Sequence, residues 1–157
     1  MTETLPPPRL EHVCDLAVAI AAPIEIGQTP AGLRRVIPIT GGVVTGPLLS
    51  GKVLASGADF QLILGNGTQA HLDARYVIEL NDGTRVFVQN TALRFASLEN
   101  SQRIMRGEPV DPADVYFRCQ PRLEAPGEKW AWLNESQFIG CGRRAPDGVY
   151  LSFYRVA

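Results

Sequence analysis

Apolar positions along this chain recur in short runs or in alternation with polar ones, and only one segment departs clearly from that pattern. Alternation puts one set of side chains on each face of a strand, because successive residues point to opposite sides. The pattern predicts strands near 13–22, 33–40, 43–54, 58–64, 70–80, 84–95, 115–124, 130–143 and 148–156. Between them stand "GQTPAG", "TGG", "ASGA", "GNGTQ", "NDGT", "APGE" and "APDG", rich in the residues that supply turn geometry. The clearest hairpin is "RYVIELNDGTRVFVQN", where Asp82 and Gly83 offer the positive φ angles of a tight turn.

The departure is "SLENSQRIMRGEPVDPADVY". It places Leu98, Ile104 and Met105 on one face of a short helix near 97–107, with Ser97 as N-cap and Gly107 as the stop. A shorter helical turn is expected at "DPADVY". Such a segment either plugs one end of the fold or acts as a lid over a pocket mouth. Eight or nine strands with frequent spacings of 10–14 residues predict an all-β protein. The expected fold is a single closed or nearly closed antiparallel up-and-down β-barrel, since closure removes unpaired edges. It would span residues 1–157 as one domain, with 1–10 as a flexible N-terminal extension.

Strand alternation then sorts the candidate chemistry. In "HLDARYVIEL", Leu72, Ala74, Tyr76, Ile78 and Leu80 share an apolar face, opposite His71, Asp73, Arg75, Val77 and Glu79. In "VFVQNTALRF", one face carries Val86, Val88, Asn90, Ala92 and Arg94, a mixture odd for solvent and odd for a plain core. Tyr116, Arg118 and Gln120 share a face, as do Trp130, Trp132 and Asn134 if 130–143 is one long strand. Aromatic bodies beside Asn and Arg fit the wall of a ligand cavity. Arg94 and Arg118 are candidate holders of a carboxylate or enolate oxygen, through the planar guanidinium fork. Asp59 and Asp73 are candidate bases, Tyr116 and Asn134 orienting groups. Asn90, Trp132, Tyr76 and Arg75 complete the expected ligand-binding set, with Arg118 as its anchor. The competing reading makes the Arg and Asp residues structural ion pairs and the tryptophans core or rim.

Composition narrows the class. The 157 residues are 45% hydrophobic, enough to bury a proper core. A formal net charge of −1 and scattered arginines argue against a nucleic-acid partner. No stretch approaches the roughly 20 apolar residues of a membrane-spanning helix. The start, "MTETLPPPRLEH", lacks the basic region of a signal peptide. Cys14, Cys119 and Cys141 are odd in number and widely spaced, which points to a reduced, cytoplasmic setting. Cys141 has no base nearby in sequence and reads as a small packed thiol. His12 and His71 lie far apart, so no metal site is expected. The glycine-bearing "GNGTQ" and "ITGGVVTG" sit between strands rather than before helices, so no nucleotide or other cofactor is expected. The expected partner is a small molecule, and exposed Leu, Val and Trp strips leave room for a homodimer.

Three stretches carry a family resemblance: "GPLLSGKVLASGADFQLI", "LDARYVIELNDGTRVFVQNTALR" and "GEPVDPADVYFRCQPRLEAPGEKWAWLNESQFIGCGRR". Together they resemble the bacterial uncharacterised protein family 0311, also known as domain of unknown function 3237. The resemblance covers about residues 11–156 and implies a small closed antiparallel β-barrel with no settled general activity. Its specific elements are Gly57–Asp59, Asp73–Tyr76, the "DG" hairpin, Tyr116–Arg118 and Trp132–Asn134. Phe60 stands where the family often has tryptophan, and Cys119 replaces the commoner threonine. The leading functional expectation is a barrel doing cofactor-free acid–base chemistry, of isomerase or lyase type, on a carbonyl-containing or aromatic metabolite. The alternatives are a non-catalytic ligand carrier and a structural scaffold. A lumen carboxyl group pushed up in pKa favours the enzyme, a wholly apolar lumen the carrier.

Overall fold

Alternating residues make a strand only when a partner strand accepts them, and here every strand but the first finds a partner in a sequence neighbour. The computed structural model describes residues 2–157. Its strands are β1 (Leu10–Ile20), β2 (Ile24–Thr29), β3 (Gly32–Thr45), β4 (Gly51–Val53), β5 (Gly57–Leu64), β6 (Gln69–Leu80), β7 (Arg85–Ala96), β8 (Val115–Glu124), β9 (Gln137–Ala145) and β10 (Gly148–Val156). Helices α1 (Leu98–Met105) and α2 (Ala131–Asn134) interrupt the series. β1 and β2 run in one direction along β3, with Ile20 opposite Ile39 and Ile24 opposite Val36. They form one bent stave. β4 and β5 likewise lie end to end between β3 and β6. The ten strands therefore make eight antiparallel staves in sequence order, and β10 returns to pair with β1. The closed up-and-down barrel is as the turn spacing predicts.

Several local expectations are corrected. β2 falls where no strand is expected, and the strand expected over 43–54 is divided, its start belonging to β3 and its end to β4, with residues 46–50 outside any strand. The "TGG" cluster does not separate two strands: β3 continues through Gly41 and Gly42, at φ 153° and 152°. At this bend the neighbour of β3 changes from β5 to β4, and the Ala17 carbonyl oxygen occupies the place a Cβ on Gly42 would need. The predicted strand 130–143 is also shorter. Residues Glu128–Trp130 form a 3-10 turn that leads into α2, and β9 begins only at Gln137. "WAWLN" fits either period, since Trp130 and Leu133 are also three apart. Tertiary contacts decide it. The Trp130 indole N–H donates to Asp82 in the β6–β7 turn at 3.0 Å, while Leu133 is buried in the core.

α1 follows its sequence signals. Ser97 Oγ accepts from the Asn100 N–H at 3.1 Å, and Gly107 takes a φ of 76° just past the helix. α1 follows β7, and α2 precedes β9, so the two helices lie at opposite ends of the barrel. Residues 2–9 form no regular element, although the backbone of Arg9 pairs with that of Ala157.

The half of the interior nearer α2 is packed solid, with Ile78, Val86, Val88 and Phe153 fully buried. On β9, two inward positions are glycine, and neighbouring side chains fill the space. A Cβ on Gly142 would lie 2.7–2.8 Å from three atoms of the Phe117 ring. Gly142→Ala is expected to cost about 1–3 kcal/mol of stability by overpacking. Urea unfolding measures this, and an unchanged midpoint would show that the ring can simply move.

Candidate functional site

The half of the lumen nearer α1 is different. Asp59 and Gln61 point inward from β5, Asn90 and Arg94 from β7, Tyr76 from β6 and Arg144 from β9. They line a cavity of about 60 Å³ whose remaining wall is apolar, including Ile37, Phe117 and Leu151. Each arrives by alternation: Phe60, beside Asp59 and Gln61, is 46% exposed, whereas Gln61 is 3%.

Asp59 is held by two hydrogen bonds. Its Oδ2 accepts from Gln61 Nε2 at 2.9 Å and its Oδ1 from the Asp73 backbone N–H at 3.1 Å. Burial pushes its carboxyl group above the usual aspartate value, against the pull of those two bonds and the Arg94 charge. Arg94 is 8% exposed. Burial lowers its guanidinium to about 10, with Arg144 and Arg35 adding like-charge repulsion and Asp59 opposing them. It remains a cation at neutral pH. Arg144 is lowered too, by burial first and then by Arg35. Arg35, inward on β3 and 5% exposed, donates from Nε to Glu25 Oε1 on β2 at 2.9 Å.

Several polar atoms here are unspent. Gln61 Oε1, Tyr76 Oη, Asn90 Oδ1 and Arg144 Nη1 are buried without a hydrogen-bond partner among the described residues. Buried polar groups are usually paired, so a cluster of unpaired ones around one cavity sets this half of the lumen apart from an ordinary core. The roof belongs to the segment after β7: Ile104 of α1, Val110 and Pro112 border the same small space as Arg94 and Arg144.

Of the residues expected at the site, Asp59, Tyr76, Asn90 and Arg94 come together in the lumen. The others do not. Asp73 pairs through Oδ2 with Arg75 at 3.3 Å while its Oδ1 is buried without a partner among the described residues, and its hydrogen bond to Asp59 comes from its backbone N–H. Tyr116 is 51% exposed on the outer face of β8. Arg118 lies over its ring at 5.3 Å and donates to the Phe117 carbonyl at 2.9 Å. β8 buries its other alternate set, which includes Phe117, Cys119 and Leu123, because those residues are apolar. Trp132 and Asn134 ride on α2 at the far end. Asn134 bonds both backbone groups of Ala125, and Trp132 packs on Phe138 beneath Arg155. Gln61, Arg35 and Arg144 were missed, although the rule that singled out Arg94 reaches them: Arg35 shares a face with Ile37, and Gln61 with Asp59.

The cysteines are free, and burial pushes Cys14 to about 12 and Cys119 to about 11, which keeps those thiols protonated and inert. Among the described residues, no three His, Cys, Asp or Glu side chains converge in a way that could hold a metal ion.

Two outcomes follow from these environments. Tyr76→Phe removes a buried, unpartnered hydroxyl and is expected to raise the stability of the unliganded protein by about 1 kcal/mol. A lower melting temperature for this variant would mean the hydroxyl is satisfied. Because the folded carboxyl of Asp59 titrates above its unfolded value of 3.8, the folded state binds its proton more tightly. That stabilising contribution is complete below about pH 4 and is lost as pH rises through the folded value. Asp59→Asn should remove this decline, so that the variant gains on the parent protein from acid to neutral pH. Parallel melts of the two proteins across that range test it, and parallel curves would refute it.

Comparison with known proteins agrees with the fold. The family described as "Protein of unknown function (DUF3237)" matches residues 8–156. A UPF0311 protein of Bradyrhizobium diazoefficiens is 42% identical over 156 residues, covering 99% of each chain. The crystal structure of a conserved protein of unknown function from Rhodopseudomonas palustris superposes with a TM-score of 0.91 at 37% identity, covering 98% of this chain and 100% of that one. A β-barrel-like protein from Acinetobacter baumannii gives a TM-score of 0.85 at 34% identity, covering 99% and 100%. With its barrel and nearly its whole length shared in this way, the chain belongs to the UPF0311 (DUF3237) family of proteins of unknown function.

Proposed function

We propose that the lumen nearer α1 binds a small carbonyl-containing molecule and performs cofactor-free acid–base chemistry on it, of isomerase or lyase type. The observation that carries this reading is Asp59, the one carboxyl group lining the cavity, buried and oriented by two hydrogen bonds beside two guanidinium groups. A general base must be positioned first and then tuned toward the working pH, and burial tunes Asp59 in that direction.

In the step this arrangement suits, the Asp59 carboxylate takes a proton from the carbon next to the carbonyl. The C–H electron pair forms the enolate double bond as the carbonyl π pair moves onto oxygen. Arg94, already charged and fixed in a low-dielectric wall, stabilises that oxyanion at little reorganisation cost. Asp59 then returns the proton to another carbon, or the enolate expels a leaving group that takes it. Tyr76 and Asn90 supply unspent polar groups that would orient the bound molecule.

Deuterium exchange tests the reading without knowledge of the natural substrate. Butanone and 2-oxobutyrate are incubated with the protein in D₂O, and loss of the α C–H signal is followed by NMR. Protein-dependent exchange of at least one compound is expected, with Asp59→Asn slowing it by about 100-fold or more. Exchange that is indifferent to Asp59→Asn would sink the proposal. Binding without exchange would make the barrel a carrier.

A further inference from the structure

The charge count of the lumen goes further than its base. Arg35, Arg94 and Arg144 are coupled closely enough for each of the other two to act on the Arg94 guanidinium. Two carboxylates stand against these three cations: Glu25, already committed to Arg35, and Asp59. Asp59 does not form an ion pair with Arg94, and both of its oxygens are engaged elsewhere. Among the described residues Arg94 has no hydrogen-bond or ion-pair partner, yet it is 8% exposed and lines the cavity. Arg144 lines it too, with Nη1 buried and unpartnered. A buried guanidinium without a partner is costly, and Arg94 beside the half-buried Arg144 forms a site that an anion would complete.

We infer that the molecule this lumen receives is a short-chain carboxylate, its carboxyl group clasped by Arg94 and Arg144 and its carbon chain directed toward Asp59. The inference rests on the acid–base reading of the same site and names the substrate class as a small 2-oxo acid, whose carboxylate and adjacent carbonyl oxygen lie close enough to share the Arg94 fork. Planar guanidinium forks match a planar carboxylate in two-point contact, which an amide or ketone oxygen cannot reproduce. Length is limited by the space of about 60 Å³ and by the solid apolar core beyond Tyr76.

Calorimetric titration of the intact protein with propionate, propionamide and inorganic phosphate tests this. Propionate is expected to bind at least tenfold more tightly than the neutral, isosteric propionamide. Arg94→Met should weaken propionate binding tenfold or more, and Arg94→Lys should restore only part. Asp59→Asn, which removes the competing negative charge, should keep or strengthen binding. Arg118→Met, on the outer face, should leave it unchanged. Should Arg94→Met fail to fold, Arg144→Met carries the same expectation. Equal binding of propionamide, tighter binding of phosphate, or propionate binding indifferent to both arginine variants would each overturn the inference. The two readings fail separately. Propionate binding with no deuterium exchange defeats the acid–base chemistry and leaves the carboxylate site standing. Asp59-dependent exchange of butanone without propionate binding does the reverse.

Discussion

Pairing of β10 with β1, from Leu10 opposite Val156 to Val18 opposite Val149, is the contact on which the remaining architecture depends. Without it the last stave would end in an open edge, and the inner faces would have no enclosed volume to fill. With it, each stave has hydrogen-bonded neighbours on both sides, and alternate side chains are forced either into a narrow lumen or out to solvent. The bulges that bend β1 and β3 belong to this closure. Eight staves of unequal length meet only where a long strand can change partners along its course, as β3 does at Gly41 and Gly42.

Closure also makes the interior a place where polar residues are expensive. The half nearer α2 largely avoids the cost with aliphatic and aromatic side chains and is capped by Leu133, although Arg155 beside Trp132 leaves its Nε buried without a partner among the described residues. The half nearer α1 accepts it: Arg35 on β3, Gln61 on β5 and Asn90 and Arg94 on β7 are buried, beside the Asp59 carboxyl group on β5. These groups are only partly satisfied by the protein itself. A domain that needed nothing but stability would fill these positions with apolar side chains, since a half-satisfied polar network is worse than an apolar core. This difference between the two halves is the physical ground on which the proposed function rests. Ile104 in the segment Leu98–Met105, with Val110 and Pro112 after it, lies over that same half.

Strand alternation, turn clusters and a family resemblance were sufficient to read the barrel, its hairpin at Asp82 and Gly83, and the helix capped by Ser97. They also brought Arg94, Asn90 and Tyr76 to the inner face, because an arginine or asparagine in phase with buried valines has only one direction in which to point. The pattern was less use on β8, where polar and apolar sets alternate cleanly. There Tyr116 and Arg118 looked like site residues by their chemistry, and the apolar set with Phe117 and Cys119 took the lumen because burial of those side chains is worth more.

What the sequence by itself determined is most of the alternating strands, though not β2 or the break before β4, together with their order and the face each residue shares with its second neighbours, since these follow from local backbone geometry. Tertiary structure alone decided which residues from different staves face one another. Arg35 and Arg144 are separated by more than a hundred positions, yet they act on the same buried Arg94, and no local periodicity encodes that meeting. It also decided that "WAWLN" is a helical turn rather than a stave, through the reach of Trp130 to Asp82 and of Asn134 to Ala125. The physical reason is the same in each case: alternation is a property of one strand, whereas a lumen is made by the closure of all eight.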